Sequence, residues 1–272
     1  METNYLEDRG PSLHSFRVYI ESKYNRVTDK NYIKVQKDLL KASGINPNLS
    51  NKKTDEIRIK CKLIGESGWV ISPFWEPNKN ETWYDTWFWI AFHGSSDSIL
   101  DFFKQDNYYL LKNINGYSRF EVDRSDWFQE AEMLFEQGFY TSCAMLLSAI
   151  IDQSIRKSPI DSWKRRIKIT DYFDKAVKST VEDYYINKSI EPLSRYIETS
   201  LLLPSLDGFI QRYFNGKYTF EKKVEPNYLE RNWLMHGETR RVVSEADCIK
   251  LFNAICTLHY VLHTVTGTFY GH

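Results

Sequence analysis

The second half of the chain constrains the fold most, because beyond about residue 120 it carries helical periodicity and helix stop signals almost without interruption. Residues 125–137 are amphipathic and end at Gly138. Residues 139–157 follow with Ala144, Leu147, Ile150 and Ile151 on one broad apolar face, and Pro159 stops them. Helices are expected at 161–178, with a break near Thr170, and through 184–202, where Pro192 kinks the helix or marks its start. Ser205 suits the cap of a helix reaching Phe214, and Asn215-Gly216 suits a turn. Ser244 with Asp247 three residues later resembles a capping box, opening a terminal helix to about Val265. No internal repeat interrupts this half, which reads as an all-α bundle.

The first 120 residues read differently. Residues 13–24 alternate apolar and polar side chains, Thr28 suits a helix cap, and Gly44 a stop near residue 42. The string EIRIKCKLI (56–64) has the cleanest strand alternation, with Ile57, Ile59, Cys61 and Leu63 on one face. Gly65 and Gly68 bracket a turn before a second strand at 69–75, and 83–93 is again strand-like. Ser96 can cap a helix carrying Ile99, Leu100, Phe102 and Phe103. The expectation is an α+β N-terminal domain over residues 1–120, followed by a helical domain over 121–272. Five of the eight tryptophans fall between 69 and 89, a density that suits base stacking or a protein partner as well as a core.

Composition removes several classes. Thirty-six basic residues balance thirty-six acidic ones, so no net field drives general nucleic-acid binding, and any such contact depends on local patches. The four cysteines are scattered without zinc-ligand spacing, and no apolar run approaches membrane-spanning length. Free cysteines without a signal peptide point to a reducing cytoplasm. There is no phosphate-cradling glycine loop, zincin motif or serine-nucleophile elbow. No metal or cofactor is expected. His259 and His263 have the spacing of two ligands to one metal, but their apolar surroundings and the want of a third ligand favour core or interface histidines.

The densest polar cluster is PNYLERNWLMHG, residues 226–237. Pro226 suits the first turn of a helix and Gly237 the left-handed residue beyond its end. Leu229, Trp233 and Leu234 give a partial apolar face. On a 100° wheel Asn232 and His236 share a face, with Arg231 turned about 140° from His236. Such a set serves phosphate chemistry equally well as it serves a solvated arginine and a capping histidine.

Two stretches resemble the HEPN superfamily (higher eukaryotes and prokaryotes nucleotide-binding). RNWLMHG, residues 231–237, is similar to the family's arginine, polar residue and histidine after four intervening positions. EAEMLFEQGFYTSCAMLLSAIIDQSIR, residues 130–156, is similar to its first helical pair, with Asp152 where that pair carries an acidic residue. The resemblance covers residues 125–265, about half the chain. It implies a bundle that forms a homodimer through the helix carrying Arg231 and His236. Many members are metal-independent endoribonucleases of toxin, antiphage-defence or RNA-processing systems; others are non-catalytic scaffolds binding a protein or nucleotide. On the nuclease reading His236 is the acid or base, Arg231 the phosphate clamp and Asn232 its support. Asp152 then orients His236 or Arg231, unless it only pairs with Arg156 four residues on. RNA-backbone contacts fall to Arg240 and Arg241 beside the cleft, and to the basic run Lys164, Arg165, Arg166 and Lys168, which reads equally as a solvated helix face. RNA is the implied substrate, and an antitoxin or trigger protein the implied partner of the N-terminal module.

Overall fold

The computed structural model describes residues 61–73, 96–157, 204–214 and 222–266. Five helices organise them: α1 (Ser96–Glu121), α2 (Ser125–Glu136), α3 (Tyr140–Lys157), α4 (Arg231–Met235) and α5 (Glu245–Thr266). Helical turns also form at 61–66 and 204–213.

The centre of the bundle is α5. Ile249, Phe252, Ile255, Leu258 and Val261 point to different sides of the helix, yet all are buried, as expected of a helix covered all round. It packs on α1 and α3, while α2 and α3 form a helical hairpin closed at Gly138. Aromatic rings join these layers. Phe252 meets Phe128 and Phe135 edge-on, with ring centroids 5.4 and 5.7 Å apart. The buried face of α3 runs through Cys143, Ala144, Leu147, Ile150, Ile151 and Ile155, the stripe its periodicity predicts. The capping box of α5 is present in both directions: Ser244 N–H donates to Asp247 Oδ2 at 2.9 Å, and Asp247 N–H to Ser244 Oγ at 3.3 Å.

The expected α+β N-terminal domain is overturned: among the described residues there is no strand, and the bundle is all-α. Residues 61–66 are helical. Alternation would place Cys61 and Leu63 on one face, but Leu63 is 52% exposed while Cys61, Ile64 and Gly65 are buried, a helical spacing. The cause is tertiary. Gly65 lies against the 204–213 helix so closely that a Cβ there would sit 1.9 Å from the Ser205 carbonyl oxygen, and Gly208 is equally tight against Lys62 O at 2.5 Å. Two facing glycines bring the backbones of the two helical segments into contact.

Residues 69–72, part of the second strand expected at 69–75, have no ladder partner among the described residues and no alternation, since Trp69, Val70, Ile71 and Ser72 are all buried. Side chains satisfy their backbone instead. Asn253 Nδ2 donates to Val70 O, Thr257 Oγ1 donates to Ile71 O at 3.1 Å, and Ile71 N–H donates to Ser205 Oγ at 3.1 Å. Ser205, expected as a cap, is therefore a helical residue whose side chain braces this segment. Trp69 stacks on Phe103 at 5.7 Å, so the described residues on both sides of position 120 enter one core. The calls at 13–24, 28–42, 56–60, 74–75, 83–93, 161–178 and 184–202 lie outside the described residues.

The helix expected from Ser96 extends to Glu121 across a kink in which Asp106, Asn107 and Tyr108 have φ of 47, 54 and 60°. Asp and Asn are the side chains that tolerate this left-handed conformation best; Tyr108 does not, and is strained there. The kink carries the Tyr108 hydroxyl to Glu245 Oε1, while Lys104 Nζ lies 2.7 Å from Glu245 Oε2, so both tie α1 to the first turn of α5. Burial, and then the bond to the Glu245 carboxylate, push the Tyr108 phenol up to about 12. A raised folded pKa means stability that is present below the ordinary tyrosine value and lost as pH rises through the folded one. Urea midpoints should therefore fall between pH 10 and 12, and fall less in Tyr108→Phe; equal losses in the two proteins would refute the coupling.

No helix among the described residues is long and apolar enough to cross a membrane.

Candidate functional site

The short helix α4 begins later than Pro226 suggests. Its N-cap is Glu230, extended at φ −128° and ψ 136°, whose carboxylate accepts the Asn232 and Trp233 N–H groups at 3.0 and 3.2 Å. Pro226 precedes the helix by several irregular residues, because this buried carboxylate is the stronger start signal: it accepts two of the N–H groups that the first turn leaves without an intrahelical partner. Glu230→Ala should cost about 1 kcal/mol, with most of it recovered in Glu230→Asp. Chemical denaturation of both variants checks this, and an unchanged midpoint in the alanine variant would remove Glu230 from the account.

Two buried side chains, Trp233 and Leu234, anchor α4 to the bundle. Its far end is closed as the sequence suggests. Gly237 N–H donates to Leu234 O at 3.1 Å and Glu238 N–H to Trp233 O at 3.0 Å, with Gly237 at φ +70°. His236 is thereby the C-cap residue, half out of the helix and exposed.

Arg231, at the first helical position, turns back towards α3. Its Nη2 lies 3.4 Å from Asp152 Oδ2, and its Nη1 donates to Asn232 Oδ1 at 3.0 Å. Arg156 Nη2 reaches the same Asp152 oxygen from one turn along α3. Exposure separates the two arginines: Arg231 is 18% exposed and Asp152 14%, while Arg156 is 70% exposed. The Arg156 pair is a surface contact worth little, whereas the Arg231 pair holds a guanidinium in place at the meeting of α3 and α4. Two guanidiniums share one carboxylate oxygen. Of Asp152's two expected uses, the structure thus shows the pairing with Arg231, together with that to Arg156.

The remaining expected residues are distributed unequally. Arg240 is exposed, and its backbone N–H donates to both oxygens of Glu225 at 3.1 and 3.0 Å. Burial pushes the Glu225 carboxyl up, but hydrogen bonds from Thr239 Oγ1 and the Arg240 and Arg241 N–H groups outweigh it and hold it below the usual range. Arg241 turns inward onto Asp247, 3.0 Å away. Lys164, Arg165, Arg166 and Lys168 lie outside the described residues. His259 is buried and lies 3.0 Å from Ser154 Oγ through Nε2; the side chain of His263 lies outside the described residues. Sequence reasoning missed Glu230, although an acidic residue directly before RNW was the available signal.

Hydrogen bonding thus makes a patch in which one guanidinium is pre-positioned at the head of α4 and one imidazole is exposed at its end. Such a patch can bind a phosphodiester and move a proton beside it. Comparisons of the chain with protein-family models, with curated proteins and with solved structures found no match in any of the three.

Proposed function

We propose that the chain is a metal-independent endoribonuclease of the HEPN type, acting in the cytoplasm as a bacterial antiphage-defence or toxin effector. The observation that carries this reading is the clamp of Arg231 by Asp152 and Asn232 on the five-residue helix that ends at exposed His236. A guanidinium offers two parallel donors to the phosphoryl oxygens as charge grows on them. An imidazole takes the proton from the ribose 2′-hydroxyl, or gives one to the departing 5′-oxygen. The 2′-oxygen bonds to phosphorus and the P–O5′ bond breaks, giving a 2′,3′-cyclic phosphate and a 5′-hydroxyl. One imidazole cannot be acid and base in the same step, so a homodimer joined through α4 supplies the second from its other copy. Residues before the bundle select the RNA or answer to a trigger or antitoxin.

One observation favours the alternative, a non-catalytic HEPN-like scaffold binding a protein or nucleotide: Arg231 is four-fifths covered and already paired. The deciding experiment incubates the full chain with total RNA and tRNA in EDTA and analyses the ends. Fragments ending in cyclic phosphate support the nuclease; intact RNA at every concentration of a dimer supports the scaffold. The full chain is required, because 61–73 and 96–119 contribute to the core that holds α5.

A further inference from the structure

A second polar site lies outside the Arg231 patch. A cavity of about 200 Å³ opens between residues 67–68, the 204–213 helix, the segment 227–229 and the first turns of α5. Among the described residues its wall carries three cations, Arg212, Arg241 and Lys250, and one carboxylate, Asp247. Asp247 is already engaged by the Ser244 N–H and hydroxyl, each at 2.9 Å, and by Arg241. Beyond that pair, Arg241 Nη1 is buried with no hydrogen-bond partner among the described residues. Arg212 lies 3.8 Å over the Tyr228 ring and donates to a carbonyl, Glu66 O, rather than to a carboxylate. Burial lowers its guanidinium from the usual arginine value, which marks a cation held in a poorly solvated place. Lys250 Nζ, also on the wall, stands 5.0 Å from the Trp69 ring centroid.

Cations gathered around a small cavity repel one another, and an unmatched buried donor is costly. An anion relieves both. We propose that this cavity binds a phosphate dianion, free or on a small organic carrier, held by Arg212, Arg241 and Lys250. Guanidiniums match phosphate oxygens in pairs, and the lysine adds a point charge. Size limits the carrier. The volume is far above the roughly 10–15 Å³ that one water needs but below the roughly 300–1,000 Å³ of sites for larger ligands. Ser67 and Asn227, also on the wall, offer hydrogen bonds to a carrier's hydroxyls. The site shares Arg241 with the RNA contacts expected on the ribonuclease reading, but Arg231, Asn232 and His236 are not in its wall.

The test is isothermal titration calorimetry on the full chain at constant ionic strength, with inorganic phosphate, glycerol phosphate and glycerol as probes. Both phosphates should saturate one site per chain, and glycerol should not bind. Arg212→Gln and Lys250→Gln should each weaken phosphate binding roughly tenfold or more, and His236→Ala should leave it unchanged. Thermal melts establish that each variant folds; should Arg212→Gln unfold, Lys250→Gln decides. No saturable phosphate binding, wild-type affinity in the folded variants, or binding of RNA oligonucleotides alone would overturn the proposal.

Discussion

On the proposed nuclease reading, His236→Ala should lower RNA cleavage by roughly 10²–10⁴-fold, the contribution of a positioned proton donor or acceptor. Arg231→Ala should lower it by roughly 10²–10³-fold, the usual loss on removing one stabilising donor from a charged transition state. Arg231→Lys recovers little, since a lysine keeps the charge but not the planar fork that Asp152 and Asn232 hold. Folding should survive all three. His236 is exposed at a C-cap, and without Arg231 the Asp152 carboxylate keeps its partner on α3, Arg156. The measurement is a rate of tRNA cleavage beside sedimentation of each variant. Wild-type rates in His236→Ala and Arg231→Ala, both folded and dimeric, would end the nuclease reading and leave the scaffold.

The largest effect on stability is expected from Gly65→Ala. A Cβ at that position meets the Ser205 carbonyl oxygen at 1.9 Å and Phe209 N at 2.8 Å. Both are backbone atoms, so no rotamer change relieves the clash and the two helices must part. Separation also pulls Ser205 from Ile71 N–H and loosens the 69–72 segment against α5. A cost of about 3 kcal/mol is expected, the upper part of the overpacking range and a large share of a typical domain's 5–15 kcal/mol. In a thermal melt that is a fall of roughly 6–12 °C. Gly116→Ala is the control: nothing lies within 4 Å of its Cβ, and it sits inside α1. Removing a helical glycine there should raise stability by roughly 0.5–1 kcal/mol. Equal melting points for the two variants would show that 61–66 and 204–213 are not in backbone contact.

Legibility followed the range of the interactions. The hairpin of α2 and α3, the Ser244–Asp247 box and the Gly237 stop were readable because each depends on residues within four or five positions of one another. The start of α4 was misplaced at Pro226, since a buried glutamate is a less familiar cap than the preferred serine, threonine, aspartate or asparagine. The strand readings at 61–64 and 69–72 failed for a different reason. An alternating string and a continuous apolar string have several partners open to them, and here the partners were helices 134 to 186 residues away.

The same division holds at the two sites. By itself the sequence determined that α4 would end at Gly237 with His236 at its tip; the buried cap Glu230, which sequence reasoning missed, put Arg231 and Asn232 at its head. The sequence also placed Asp152 one helical turn before Arg156. Only the tertiary structure decided that Asp152, 79 residues before Arg231, would be its partner, and that Arg212, Arg241 and Lys250 would surround one cavity. Local signals act through backbone geometry over a single turn. Long-range pairs depend on which helices share a core, and the buried residues of α5 set that when they gather the other helices around them.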